Sequence, residues 1–359
     1  MSNIKVMRDS NMELLRIVAM LLVLVVHADF ASIGSPTIIE VMDAPYSSIA
    51  RLGVECISII SVNVFVLLSG WYGIKMKSKG LIGLLFQSLF FGIFGVILYN
   101  ILVKTFVSSN AFWGVNLDVA TPMSAFFSIL MINFEDYWFV KSYVFLYVLS
   151  PILNAYVEQS SHRQFKIILA LFFIFQFLWG WYYGSVGFFS NGYSTMSFIG
   201  LYLLARYIRI YQPAFAKYHK SIDVLAYIVL TLISTTLAFV GISQGWNQLY
   251  GATYKYNSPL VIVASIAFLL FFSKIRFQSS IVNTIASSAF AVYLLHTQSY
   301  LYVIYTKTIK TWFDTESCCS FFINTITFII VVFVVAVLID KIRIYLWSNF
   351  AKVFLPEKT

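Results

Sequence analysis

NMELLRIVAMLLVLVVH, Asn11–His27, is the stretch whose reading decides the fold. An unbroken apolar run separates Arg16 from His27. Ionisable groups in such a run are costly enough inside a bilayer that they usually carry a task. Eleven helical steps of about 100° make about three turns, so both side chains point the same way, about 16 Å apart along the axis. The spacing predicts a polar track along a membrane-spanning helix.

Working outward, the same character holds throughout. Of 359 residues, 60% are hydrophobic and 11% charged, with a mean hydropathy of +0.83. Apolar runs near or above twenty residues recur along the whole length, which excludes a soluble protein. They fall at approximately 13–33, 51–74, 80–103, 137–157, 166–184, 194–211, 222–243, 258–273, 281–306 and 320–340. The expected fold is therefore all-α and integral to the membrane, one bundle of about ten transmembrane helices. Pro122–Ile132 is too short to cross and reads as a re-entrant or interfacial segment. No Pro/Gly/Ser-rich linker, low-complexity tract or internal repeat divides the chain, so residues 1–359 read as a single domain. The first run is long and no small-residue cleavage site follows it, so it is expected to be retained.

Charge tests that count independently, because cytoplasmic loops collect Lys and Arg. With both ends cytoplasmic, the inner side holds Lys5, Arg8, Arg16, Lys75, Lys77, Lys79, Arg163, Lys166, Arg206, Arg209, Lys217, Lys220, Lys274, Arg276, Lys341, Arg343, Lys352 and Lys358. The outer side holds Arg51, Lys104, Lys255, Lys307 and Lys310, with Lys141 inside a span. This bias accounts for the net charge of +9 without a nucleic-acid partner, since a basic patch for DNA would not be dealt out among alternate loops. The cysteines, Cys56, Cys318 and Cys319, lack metal-ligand spacing, and with four scattered histidines no metal centre is expected. His162 and His219 lie among charged loop neighbours and are expected to be solvated.

Four segments, in order, carry a resemblance: N-x-E-L-L-R-x10-H opening the first span, VNVFVLLSGWYGIK at Val62–Lys75, DYWFVKSYVFLYVLSPILN at Asp136–Asn154, and SSAFAVYLLHTQ at Ser287–Gln298. Together they resemble the acyltransferase-3 family of bacterial membrane acyltransferases, over roughly residues 10–345. The likeness is greatest to O-acetyltransferases that decorate capsular, exopolysaccharide and lipopolysaccharide sugars. Many members carry an R-x-x-R pair after the second span, where this chain has Lys75, Lys77 and Lys79. Lysine lacks the bidentate fork of arginine.

The resemblance implies acetyl-CoA as acyl donor and co-substrate, a hydroxyl of a surface or lipid-linked saccharide as acceptor, and a multi-pass place in the bacterial inner membrane. The expected topology puts Arg16, Lys75 and Lys77 at a cytoplasmic mouth suited to coenzyme phosphates. Glu13, one turn before Arg16, either holds that arginine's rotamer or acts directly. His27 and His296 fall at comparable depth in the outer half. His27 is the expected catalytic residue, as general base on a sugar hydroxyl or as a transiently acylated nucleophile. His296 is expected to orient His27, bind acceptor or join helices. Trp138 and Lys141 are expected acceptor contacts, with the interfacial aromatic belt as the competing reading for Trp138.

External segments around 182–195 and 244–257, such as SQGWNQLYGATYKYN, are rich in aromatics and amides and nearly free of acids, a composition that suits uncharged polyhydroxylated ligands. A transporter, flippase or polymerase of lipid-linked saccharides would share the hydropathy and charge bias. Such proteins often show inverted repeats, and no convincing internal symmetry is visible here.

Overall fold

The computed structural model describes residues 9–106, 119–132, 137–183 and 187–355, so Lys5, Arg8, Asp136 and Lys358 lie outside the described residues. Among the described residues the secondary structure is helical, with no strand. The helices are α1 Ser10–Ala28, α2 Ile38–Asp43, α3 Pro45–Ser58, α4 Ser61–Tyr72, α5 Ser78–Phe106, α6 Pro122–Ile129, α7 Trp138–Gln159 and α8 His162–Phe175, the last continued by a π-helical stretch Gln176–Tyr182. They continue with α9 Thr195–Tyr211, α10 Lys220–Ser243, α11 Asn247–Thr253, α12 Pro259–Ser273, α13 Ser280–Ala286, α14 Ala289–His296, α15 Ser299–Thr315 and α16 Cys318–Phe354.

Local chemistry sets these boundaries. Pro45, Pro122 and Pro259 occupy first turns, where a missing N–H costs nothing. Thr37 with Glu40 and Ser161 with Gln164 form capping boxes at the starts of α2 and α8. Pro151 stands inside α7 and cannot donate to the Tyr147 carbonyl; the Ser150 hydroxyl donates there instead, at 2.7 Å.

Seven helices among the described residues are long and apolar enough to cross a membrane: Ser10–Ala28, Pro45–Tyr72, Ser78–Thr105, Trp138–Gln159, His162–Tyr182, Lys220–Ser243 and Cys318–Phe354. At the three other runs marked by hydropathy the helices are shorter or divided. α9 has 17 residues and α12 has 15, and at 1.5 Å per residue α12 spans only about 22 Å of a hydrocarbon core about 30 Å thick. The run 281–306 is not one helix but three, α13, α14 and the first half of α15. Large apolar side chains such as Ile101 of α5, Ile152 of α7, Leu171 of α8, Leu232 of α10 and Leu338 of α16 are exposed, a surface that hydrocarbon would cover.

The chain forms two compact units, woven from alternating stretches. The first comprises residues 1–23, 36–74 and 152–289. There α4 packs on α9 and α12, while α10 packs on α3, α11 and α12. α4 and α9 meet backbone to backbone: a Cβ on Gly70 would sit 2.4 Å from the Tyr202 carbonyl oxygen, so only glycine fits. Buried Asp223 of α10 pairs with Lys274 at the end of α12, 2.5 Å apart.

The second unit comprises residues 24–35, 75–151 and 290–359. α5 is its spine, in contact with α6, α15 and α16. Within α16, buried Arg343 binds Asp340 through Nε and Nη2, at 2.8 and 2.7 Å, and the Gln87 amide of α5 donates to the same carboxylate.

Candidate active site

The second unit carries the histidine pair. His27 is in the last turn of α1 and His296 is the last residue of α14. Nδ1 of His27 lies 2.8 Å from Nε2 of His296, with ring centroids 5.1 Å apart. On its far side, Nδ1 of His296 lies 2.6 Å from the carbonyl oxygen of Val292. A carbonyl oxygen only accepts, so His296 carries its proton on Nδ1 and presents a bare Nε2. That nitrogen then accepts the Nδ1 proton of His27. With both rings uncharged, the remaining lone pair of His27 is on Nε2. His296 is 2% exposed, whereas His27 is only half-buried and keeps accessible surface. The His27 ring is therefore held in one tautomer from behind while remaining reachable.

The helix break after His296 explains this anchoring. Leu294 no longer receives an N–H from one turn ahead, because the amide of Gln298 turns to the Leu295 carbonyl. The Tyr137 hydroxyl donates to the Leu294 carbonyl instead, at 2.6 Å. Gln298 then starts α15: its Oε1 accepts the amides of Tyr300 and Leu301, at 3.1 and 3.2 Å, and its Nε2 donates to Ser128 Oγ of α6, at 3.0 Å. Ser128 in turn donates to Ser299 Oγ. A Cβ on Gly95 would come within 2.6 Å of the Gln298 side chain, so α5 leaves room for this junction.

Tyrosines that the sequence did not single out surround the pair. Tyr302 stands edge-on to His27, with centroids 5.3 Å apart. Tyr305 donates to the Leu24 carbonyl at 2.8 Å, and its ring lies 5.6 Å from that of His296. Trp138 joins the site through rings: it is edge-on to Phe139, Phe139 packs on Tyr293, and Tyr293 is edge-on to His296. Lys141 is half-buried on α7, three residues from Trp138 and so on the same face. The signal that could have found Tyr302 and Tyr305 is their spacing after His296, since residues one turn apart on α15 share a face.

The basic residues divide between the units. In the first, Arg16 Nη1 binds Glu13 Oε2 at 2.6 Å, the pairing expected to fix the arginine's rotamer. The same unit holds two arginines that charge counting had used only for topology. Arg209 lies over the Trp71 ring, 4.8 Å from its centroid, and Arg206 lies against Gly73, where a Cβ would come 3.0 Å from Nη1. In the second unit Lys75 and Lys77 are exposed on the segment before α5, pinned by the Tyr147 hydroxyl, which accepts the Lys77 amide at 3.1 Å.

His162 stacks on Tyr211 with centroids 4.2 Å apart, and His219 accepts the Ser221 amide at the start of α10, so both have structural roles. Among the described residues no three His, Cys, Asp or Glu side chains gather as a metal set.

No curated protein and no solved structure matches the chain. A family model described as an acyltransferase domain matches residues 9–340. That match takes in both units and both histidines, and the chain belongs to the acyltransferase-3 family.

Proposed function

We propose that the protein is a membrane O-acyltransferase that moves an acetyl group from cytoplasmic acetyl-CoA to a hydroxyl of a cell-surface or lipid-linked saccharide. The observation that carries this reading is the chain Val292 carbonyl, His296, His27, which leaves Nε2 of His27 as the free base.

In direct transfer, Nε2 takes the proton of the acceptor hydroxyl as its oxygen attacks the thioester carbonyl. The tetrahedral intermediate collapses by breaking the C–S bond, and the imidazolium returns its proton to the leaving thiolate. In the two-step route the same nitrogen attacks the thioester and the C–S bond breaks, leaving an acyl-imidazolium and a thiolate; the acyl group then passes to the acceptor hydroxyl, whose proton goes to the thiolate. Histidine suits both, because its ordinary pKa of about 6.5 leaves it largely neutral near pH 7.

Arg16, Lys75 and Lys77 would meet the phosphates of the coenzyme, while Glu13 fixes Arg16. Trp138 and Lys141 would meet the acceptor. About ten crossings with both ends cytoplasmic, in a bacterial inner membrane, complete the reading.

The test supplies labelled acetyl-CoA to inverted membrane vesicles. Label covalently attached to glycan by the wild type, and lost in a normally inserted His27→Ala protein, is the expected outcome. Glycan movement without covalent label would overturn the enzymatic reading in favour of transport.

A further inference from the structure

The first unit holds a second cluster of polar side chains, separate from the histidines and without a task in the chemistry above. Asn63 at the start of α4, Gln176 at the start of the π-helical stretch, and Asn257 and Ser258 before α12 are each at most 2% exposed. The Asn63 amide donates to the Tyr256 carbonyl at 2.8 Å, and the Asn257 amide donates to the Gly180 carbonyl at 2.7 Å. This leaves Asn63 Oδ1 and Asn257 Oδ1 without a donor, together with Gln176 Oε1, Ser258 Oγ and the Oδ1 of nearby Asn191.

These groups adjoin one another. A Cβ on Gly192, next to Asn191, would come 2.8 Å from the backbone nitrogen of Asn257, and one on Gly180 would come 3.1 Å from Asn257 Nδ2. Gln176 lies one turn before Gly180 on the same stretch, and π-helical segments recur at functional sites. Tyr193, tilted on Tyr256 with centroids 4.8 Å apart, is 44% exposed and marks the open side.

An unpaired buried acceptor forfeits the hydrogen bonds it made to water, and native proteins tolerate few. Several in one place call for a partner that brings donors. The unpaired atoms are amide and hydroxyl oxygens, with no cation among them, so the fitting partner offers several neutral O–H groups and an apolar face for an aromatic ring.

We propose that Asn63, Gln176, Asn191, Asn257 and Ser258 form a binding site for a neutral saccharide, entered past Tyr193, that anchors the acceptor. The proposal rests on the acyl-transfer reading above. It adds a recognition site distinct from Trp138 and Lys141.

The test uses protein in nanodiscs, labelled acetyl-CoA, and the host's own surface polysaccharide freed of esters by mild base. The Gln176 side chain makes no hydrogen bond in the structure, so Gln176→Met removes only its polar atoms and leaves folding intact. Expected are a rise of about tenfold or more in acceptor KM, with acetyl-CoA KM and acceptor-independent acetyl-CoA hydrolysis unchanged. Asn257→Leu should move acceptor KM the same way. A stabilised Gln176→Met protein with wild-type acceptor KM overturns the proposal and makes the cluster a packing defect. An effect that instead follows sodium concentration overturns it in favour of a cation site. Acetyl-CoA hydrolysis that survives His27→Ala sinks the acyl-transfer reading itself, and the acceptor site with it; hydrolysis lost in His27→Ala beside an unchanged acceptor KM in Gln176→Met sinks only the latter.

Discussion

Nδ1 of His296 donates to the carbonyl of Val292, one helical turn back and 2.6 Å away, and this contact decides which nitrogen of His27 is basic. His296→Ala frees the His27 ring to rotate and to exchange tautomers. Transfer should fall by about 10²-fold while the protein still inserts. Nitrogen-15 spectra of histidine-labelled protein should show a bare His27 Nε2 in the wild type and a tautomer mixture in the variant. An unchanged spectrum and rate would remove His296 from a positioning role.

Gln298 caps α15 and ties it to α6 through Ser128, next to His296. Gln298→Leu leaves the amides of Tyr300 and Leu301 and the Ser128 hydroxyl short of partners, at a cost of about 1–3 kcal/mol. kcat should drop with acetyl-CoA KM steady. A loss in KM alone would mean that the junction shapes a donor contact rather than the dyad.

Arg16→Ala removes the charge that Glu13 orients. Acetyl-CoA KM should rise about tenfold, more steeply at low salt, with kcat largely kept. Lys75→Ala and Lys77→Ala should act in the same direction but more weakly, because exposed lysines are point charges without a fork. Wild-type donor kinetics in all three would leave them as topology anchors.

Gly70 approaches the Tyr202 carbonyl so closely that even a methyl group must push α4 from α9. Gly70→Ala should lower stability by about 1–3 kcal/mol, read as a lower Tm of the purified protein. An unaltered Tm would show that these helices are not held at this distance.

Glu40 lies outside the membrane-spanning helices. Its carboxyl is held below its ordinary range chiefly by the Thr37 amide; burial opposes this, and the Thr37 hydroxyl and Arg51 add to the lowering. A group whose folded pKa is depressed adds stability above its unfolded pKa and loses it as pH falls through the folded value. Wild type should therefore be more stable than Glu40→Gln at pH 7, by less than about 1 kcal/mol because the side chain is 42% exposed, and so show a slightly higher Tm. The gap should close below about pH 4.5. A gap that widened on acidification would contradict this.

The fold class was legible because every lipid-facing side chain must be apolar, and that constraint writes itself as long runs. Helix integrity was less so. The hydropathy of 281–306 is continuous, yet the helix stops at His296, because the junction is made by Gln298 and Tyr137 rather than by a glycine or proline that would show in sequence. The pairing of His27 with His296, 269 residues apart, agreed with their expected depth. Tyr302 and Tyr305 escaped notice because a tyrosine in an apolar run reads as core or interfacial belt. The buried amides escaped because Asn63 and Gln176 stand alone in their segments, and only folding brings their surroundings together.

Both imidazoles sit in the final turns of their helices, α1 and α14. The terminal carbonyls of a helix bear about half a negative charge. Two such ends meet at the pair, so when His27 holds an extra proton the backbone itself supplies the opposing field. A carboxylate backing would do that job too, but would carry its charge through the whole cycle in hydrocarbon. Here the compensation is built from dipoles, which are already present before the proton arrives.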